Sequence, residues 1–143
     1  MSASAKKLRR GQVEEEDASQ LKLGEEFQNA QCLFISEVKI LLEAQRDAKV
    51  DEVGEKSLTS VFQKTMNYVQ QFSRFTNRDT VREVRQLLSK QQLEQFEMAQ
   101  IANLVCEDSD EAKALVPSLT ARKDDDGLQA LLNEMLTLKK FQS

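Results

Sequence analysis

The stretch FQNAQCLFISEVKILLEAQR, residues 27–46, decides the fold. Its apolar side chains at Phe27, Ala30, Phe34, Val38 and Leu41 recur every three or four residues, the spacing that gathers side chains on one face of an α-helix. A rod of some 20 residues spans about 30 Å. Leu33, Ile40 and Leu42 widen the stripe beyond what one face requires. A helix on the outside of a small bundle needs a single apolar face, so the excess predicts burial against something additional.

Just upstream, in ASQLKLGEEF, Leu21 and Leu23 alternate with Gln20 and Lys22 before Gly24 interrupts. A period of two suits a short strand over Gln20 to Leu23. One strand cannot satisfy its own backbone hydrogen bonds, and no later segment offers a mate, so the missing strand is expected from a partner. Further upstream, residues 1–16 run from a basic cluster (Lys6, Lys7, Arg9, Arg10) into an acidic one (Glu14 to Asp17) with almost no large apolar side chains. So little burial cannot offset ordering entropy, which predicts a disordered charged tail. KKLRR has the charge of a nuclear-import or RNA-contacting segment, though such runs also arise by chance.

Downstream, the polar DAKVDEVGEK (47–56) reads as a loop, and Leu58, Val61, Phe62, Thr65, Val69 and Phe72 mark a second helix. Asn77 or Asp79 can cap a short third helix with Val81, Val84, Leu87 and Leu88 as its inner face. A fourth helix is expected from Leu93 to Val105. Asp108 or Ser109 can cap a fifth, which Pro117 ends, and Asp124 to Asp126 suit the positive end of a last helix built on Leu128, Leu131, Leu132, Met135 and Leu138. The expected class is therefore all-α, about six helices with one N-terminal strand.

Composition narrows the function. With 143 residues the chain has room for one modest core. It contains no His, which removes the commonest proton shuttle and the commonest transition-metal ligand. Twenty basic residues against 24 acidic ones give a net charge of −4 and no general attraction to nucleic acid or to an anionic membrane. No apolar run is long enough to span a bilayer, and no apolar stretch follows the basic N-terminal residues to make a signal peptide.

The remaining chemical candidates read more simply as structure. Cys32 and Cys106 have no second pair for a disulfide framework or metal site, no His to activate them, and, for Cys106, acidic neighbours that disfavour a thiolate. Residues 107–111, EDSDE, lack the alternating ligands and central Gly of a calcium loop and suit a helix cap. No catalytic residue, cofactor, metal or small-molecule substrate is expected. Arg78, Arg82 and Arg85 form one basic stripe on the third helix, flanked by Arg74 and Lys90, and could touch phosphate, with Tyr68, Phe72 and Phe75 nearby as stacking candidates. Phenylalanines at helical spacing more often fill a core, and the arginines suit a solvated or intramolecular role equally well.

Several longer stretches carry a family resemblance: EEEDASQLKLGEEF (14–27), SEVKILLE (36–43), FSRFTNRDTVREVRQLL (72–88), FEMAQIANL (96–104), EDSDEAKALVPSL (107–119) and LTLKKFQ (136–142). In that order they resemble the fourth-subunit family of RNA polymerase II. The sequence departs from the family's frequent Cys-Pro after the Asn-Leu pair, having Val105 and Cys106 there, and in the basic extension at residues 6–10. The resemblance implies a non-catalytic helical bundle resembling the HRDC fold over 57–143. It also implies a partner-binding region over 17–46, and pairing with the seventh polymerase subunit as a stalk near the RNA exit path. That stalk would support transcription initiation, dock transcription and RNA-processing factors, and make at most weak contact with nascent RNA. The implied location is the nucleus, with room for a cytoplasmic pool. Joined to the orphan strand and the over-wide helix, the resemblance makes Leu21, Leu23, Phe27, Leu33, Phe34, Val38 and Leu41 the expected partner interface. The alternative is a free-standing nucleic-acid-binding bundle that uses Arg74, Arg78, Arg82 and Arg85.

Overall fold

The computed structural model describes residues 15–54 and 58–142. Most of the predicted tail, including its basic cluster, and residues 55–57 of the predicted loop lie outside the described residues. Within them the chain forms six α-helices: α1 (Ile35–Val53), α2 (Ser60–Phe72), α3 (Arg78–Ser89), α4 (Gln95–Leu104), α5 (Ser109–Leu115) and α6 (Asp125–Lys140). The all-α class holds. No described helix is long and apolar enough to cross a membrane.

Local chemistry starts most of these helices. Thr59 accepts from the Phe62 N–H at 3.1 Å, Asn77 from Asp79 at 2.8 Å, Asp108 from Glu111 at 2.7 Å and Asp124 from Gly127 at 2.9 Å. Each oxygen satisfies an amide that the helix itself leaves unpaired, worth about 1 kcal/mol. The ends of α2 to α6 lie within about two residues of expectation, the usual slack of a helix boundary.

Three expectations near the N-terminal end need correction. Ala18–Gln20 is a 3-10 turn, Leu21 takes the left-handed conformation (φ 61°), and the only bridge among the described residues joins Asp17 to Lys22. The strand therefore does not form here. Gln28 explains why no strand mate is needed: its side chain accepts from the Leu23 N–H at 3.0 Å and donates to the Leu21 carbonyl at 2.7 Å. Gly24, at φ 86°, turns the chain behind it, where an added Cβ would lie 2.6 Å from a Glu16 carboxylate oxygen.

The first helix begins at Ile35 and not at Phe27, because residues 25–34 form a turn and an extended approach. Tertiary partners take up that approach's amides: Gln95 Oε1 accepts from Cys32 N at 3.3 Å and Asn103 Oδ1 from Ile35 N at 2.8 Å. At the other end α1 runs through most of the predicted loop to Val53 and stops at Gly54, φ 85°. The polar residues 47–52 read as a loop because they bury little, yet Ala48, Lys49 and Glu52 are good helix formers.

The main core gathers Phe34, Phe75, Val84, Leu88, Ile101, Leu119, Leu128, Leu132 and Met135, each almost fully buried. Every such side chain contributes about 1.5–3 kcal/mol on burial. α3 packs on α4 and α6, α5 on α6, and the start of α1 on α3 and α4. The α1–α2 pair forms a helical hairpin in which Met66 and Val69 are buried outside that main cluster. Val61 and Phe72, two of the residues whose spacing marks α2, are 72% and 47% exposed.

Candidate partner-binding face

A groove of about 530 Å³ runs between α1 and α3. Leu33, Ile40, Leu41 and Ala44 line one side, and Val81 with Arg78, Arg82 and Arg85 the other. Leu33 and Leu41 are each 51% exposed, large apolar side chains left uncovered by the chain's own packing. Phe27, at 63%, is a third on the N-terminal approach.

The floor of this groove is fixed by one ion pair. Arg85 Nε donates to Glu37 Oε2 at 2.9 Å, and Nη2 donates to Glu37 Oε1 and to the Cys32 carbonyl, the latter at 2.8 Å. The same Glu37 carboxylate accepts from the Phe34 N–H at 3.1 Å, and the guanidinium lies 5.4 Å from the Phe34 ring centroid. A bidentate, charge-assisted contact of this kind holds α1 against α3 in one register. A second ion pair, made through one guanidinium nitrogen, joins α4 to the chain after α5. Glu97, wholly buried, accepts from Arg122, from the Ser118 hydroxyl at 2.5 Å and from the Glu94 N–H at 2.8 Å.

The residues singled out from sequence scatter in burial. Phe27, Leu33 and Leu41 are exposed, while Leu21, Leu23 and Val38 are partly covered. Phe34 is fully buried within the chain's own core and is removed from the interface set, since it presents nothing to a partner. Of the arginines, Arg85 is committed to Glu37, and Arg74 Nε reaches the Asn103 carbonyl at 3.4 Å. Arg78 and Arg82 are exposed and form no ion pair among the described residues. The tertiary structure thus brings Leu33 and Leu41 together with Arg78 and Arg82, which sequence reasoning had placed in two separate sites. Ile40, already marked by the over-wide stripe, lines it too, as do Ala44 and Gln86, which no local signal marked as groove residues.

Phe75, a stacking candidate, is buried and unavailable to a base, whereas Tyr68 and Phe72 pack on each other at 4.8 Å on the outside of α2. Cys106 is buried, and burial first, then Glu111 and Asp108, push its thiol above the ordinary range. No cluster of three or more His, Cys, Asp or Glu side chains able to hold a metal occurs among the described residues.

The family description RNA polymerase Rpb4 matches residues 32–139. The chain belongs to the RNA polymerase Rpb4 family. The match takes in every groove residue from Leu33 to Gln86, whereas Leu21, Leu23 and Phe27 precede it. Among similar Rpb4-type proteins, the DNA-directed RNA polymerase II subunit rpb4 of Schizosaccharomyces pombe is 44% identical over 131 residues, 90% of this chain and 95% of that one. DNA-directed RNA polymerase II subunit 4 of Arabidopsis thaliana is 40% identical over 134 residues, 90% of this chain and 97% of that one. The subunit rpb4 of Dictyostelium discoideum is 41% identical over 148 residues, 93% and 95% of the two chains.

Proposed function

We propose that this chain is a non-catalytic, nuclear subunit of DNA-directed RNA polymerase II that pairs with the seventh subunit as a stalk beside the RNA exit path. In that position it orients its partner's nucleic-acid-binding surface, supports initiation and offers docking sites to transcription and RNA-processing factors. Membership of a family whose relatives are named polymerase II subunits supports the reading. The observation that carries it is the uncovered apolar set Phe27, Leu33 and Leu41, which a subunit with no partner would have reason to bury.

The test is co-purification of the seventh subunit with the wild-type chain and with L33D/L41D. The double variant places carboxylates on the uncovered face without touching the main core, so it should fold normally and lose binding by about tenfold or more. Failure of the wild-type chain to retain the seventh subunit overturns the proposal.

A further inference from the structure

α2 stands outside the main core. Its two buried side chains, Met66 and Val69, do not belong to that cluster, and no partly buried apolar residue of α2 packs against it. The principal neighbour of α2 is α1, and its other face leaves Val61, Tyr68 and Phe72 exposed. Beside the buried pair, Arg46, Leu58, Phe62 and Met66 line an open cleft of about 240 Å³, so the small apolar interior of the hairpin is incompletely closed.

Polar contacts mark the same division. Among the described residues no side-chain hydrogen bond or ion pair joins Ser60–Phe72 to another element. Those that α2 makes are local: the Phe62 N–H donates to Thr59, and the Thr65 hydroxyl donates to the Val61 carbonyl. The chain just beyond it is tied down twice. The Ser36 hydroxyl accepts from Arg74 N and Phe75 N, while Gln142 accepts from Thr76 N at 2.9 Å and donates to the Arg74 carbonyl at 3.2 Å. Phe75 itself is buried in the main core. The change from untied to tied therefore falls at Ser73, an extended residue with φ −68° and ψ 136°.

A helix of 13 residues is marginal in water without tertiary packing, and α2 has that packing from one neighbour only. Detaching it sacrifices the burial of Met66 and Val69, whereas detaching α3, α4 or α6 breaks the core they share. Local openings follow such divisions of buried contact. We infer that α2 is a separately opening arm: it leaves α1 and unfolds, with Ser73 as the pivot, while α3 to α6 stay folded. The open arm presents Met66 and Val69 to solvent beside the already exposed Tyr68 and Phe72, and takes from α1 its main cover beyond Ala44.

Hydrogen exchange of the full-length chain, followed at increasing urea below the unfolding midpoint, tests the arm. In the wild type the α2 amides should be protected about 100-fold less than those of α4 and α6, and their exchange should depend little on urea because a local opening exposes little surface. M66A should speed exchange in α2 by about tenfold or more and leave α4 and α6 unchanged. V84A, in the main core, should do the reverse. α2 amides that match α4 and α6 in protection and in urea dependence overturn the inference, a comparison that needs no substitution. So does an M66A variant in which all three helices speed up equally.

Discussion

Arg85 of α3 grips both carboxylate oxygens of Glu37, in the first turn of α1, with the Nε to Oε2 contact at 2.9 Å. Their side chains are 24% and 16% exposed, so water screens the pair only in part. Phe34, the residue preceding α1, has no side-chain oxygen to cap the helix, but Glu37, three residues on, accepts the Phe34 N–H and so ties the start of α1 to the ion pair.

Removing one partner should therefore cost more than a surface ion pair is worth. R85A leaves Glu37 with only the Phe34 N–H and takes the Arg85 donor from the Cys32 carbonyl, and should destabilise the fold by about 1–3 kcal/mol. R82A, on the same stripe, should stay within about 0.5 kcal/mol of wild type. Urea unfolding of the two variants checks the contrast, and equal midpoints would contradict it.

Ser36 joins the start of α1 to the α2–α3 connection. Its hydroxyl oxygen accepts from Arg74 N at 3.2 Å and Phe75 N at 3.0 Å, in a side chain only 2% exposed. S36A removes that acceptor from a buried site, at an expected cost of about 1–3 kcal/mol. Hydrogen exchange should report the loss at the Phe75 amide before it appears elsewhere.

Glu97 is the most deeply buried acid described, and three donors converge on it. E97A leaves the buried Ser118 hydroxyl without its acceptor and leaves Arg122, 29% exposed, with only the Gln92 carbonyl and Glu94, and should cost about 1–3 kcal/mol, with E97Q costing less because one amide oxygen still accepts. A smaller loss in E97A than in E97Q, by thermal or urea unfolding, would show that the pair is not what holds α4 to the turn after α5.

Cys106 gives a pH signature. Burial and the nearby Glu111 and Asp108 raise its folded value above the ordinary 9.0, so on raising the pH the unfolded thiol loses its proton first. The folded state then binds more protons than the unfolded one, and stability falls as pH rises above about 9. Below that, the contribution is fully present. C106A should flatten this alkaline decline in the urea midpoint. In the native wild-type protein at pH 8, a thiol reagent should modify half-buried Cys32 before Cys106.

Much of the helical framework was legible because its signals are local. Thr59, Asn77, Asp108 and Asp124 sit within three residues of the amides they cap, and the leucines of α6 repeat at helical spacing over about three turns. The N-terminal third was misread for the opposite reason. Phe27 and Ala30 continue the spacing of α1 backwards, but their amides close local turns onto the Gly24 and Phe27 carbonyls, and the approach that follows is held at Cys32 and Ile35 by Gln95 and Asn103, more than 60 residues away. The alternation of Leu21 and Leu23 is genuine, yet Gln28 closes the backbone groups that a neighbouring strand would have taken.

By itself, the sequence determined that this protein is helical, lacks histidine chemistry and carries more apolar surface at its N-terminal end than one small bundle consumes. Those properties follow from residue type and spacing along the chain. Only the tertiary structure decided which of those apolar residues remain outside. Phe34 disappears beneath Arg85 while Leu33, its neighbour, stays half uncovered, because both lie on the extended approach to α1, where successive side chains point to opposite sides. The same packing of α1 on α3 sets Leu41 opposite Arg78 and Arg82, and joins two stripes distant in sequence into one groove.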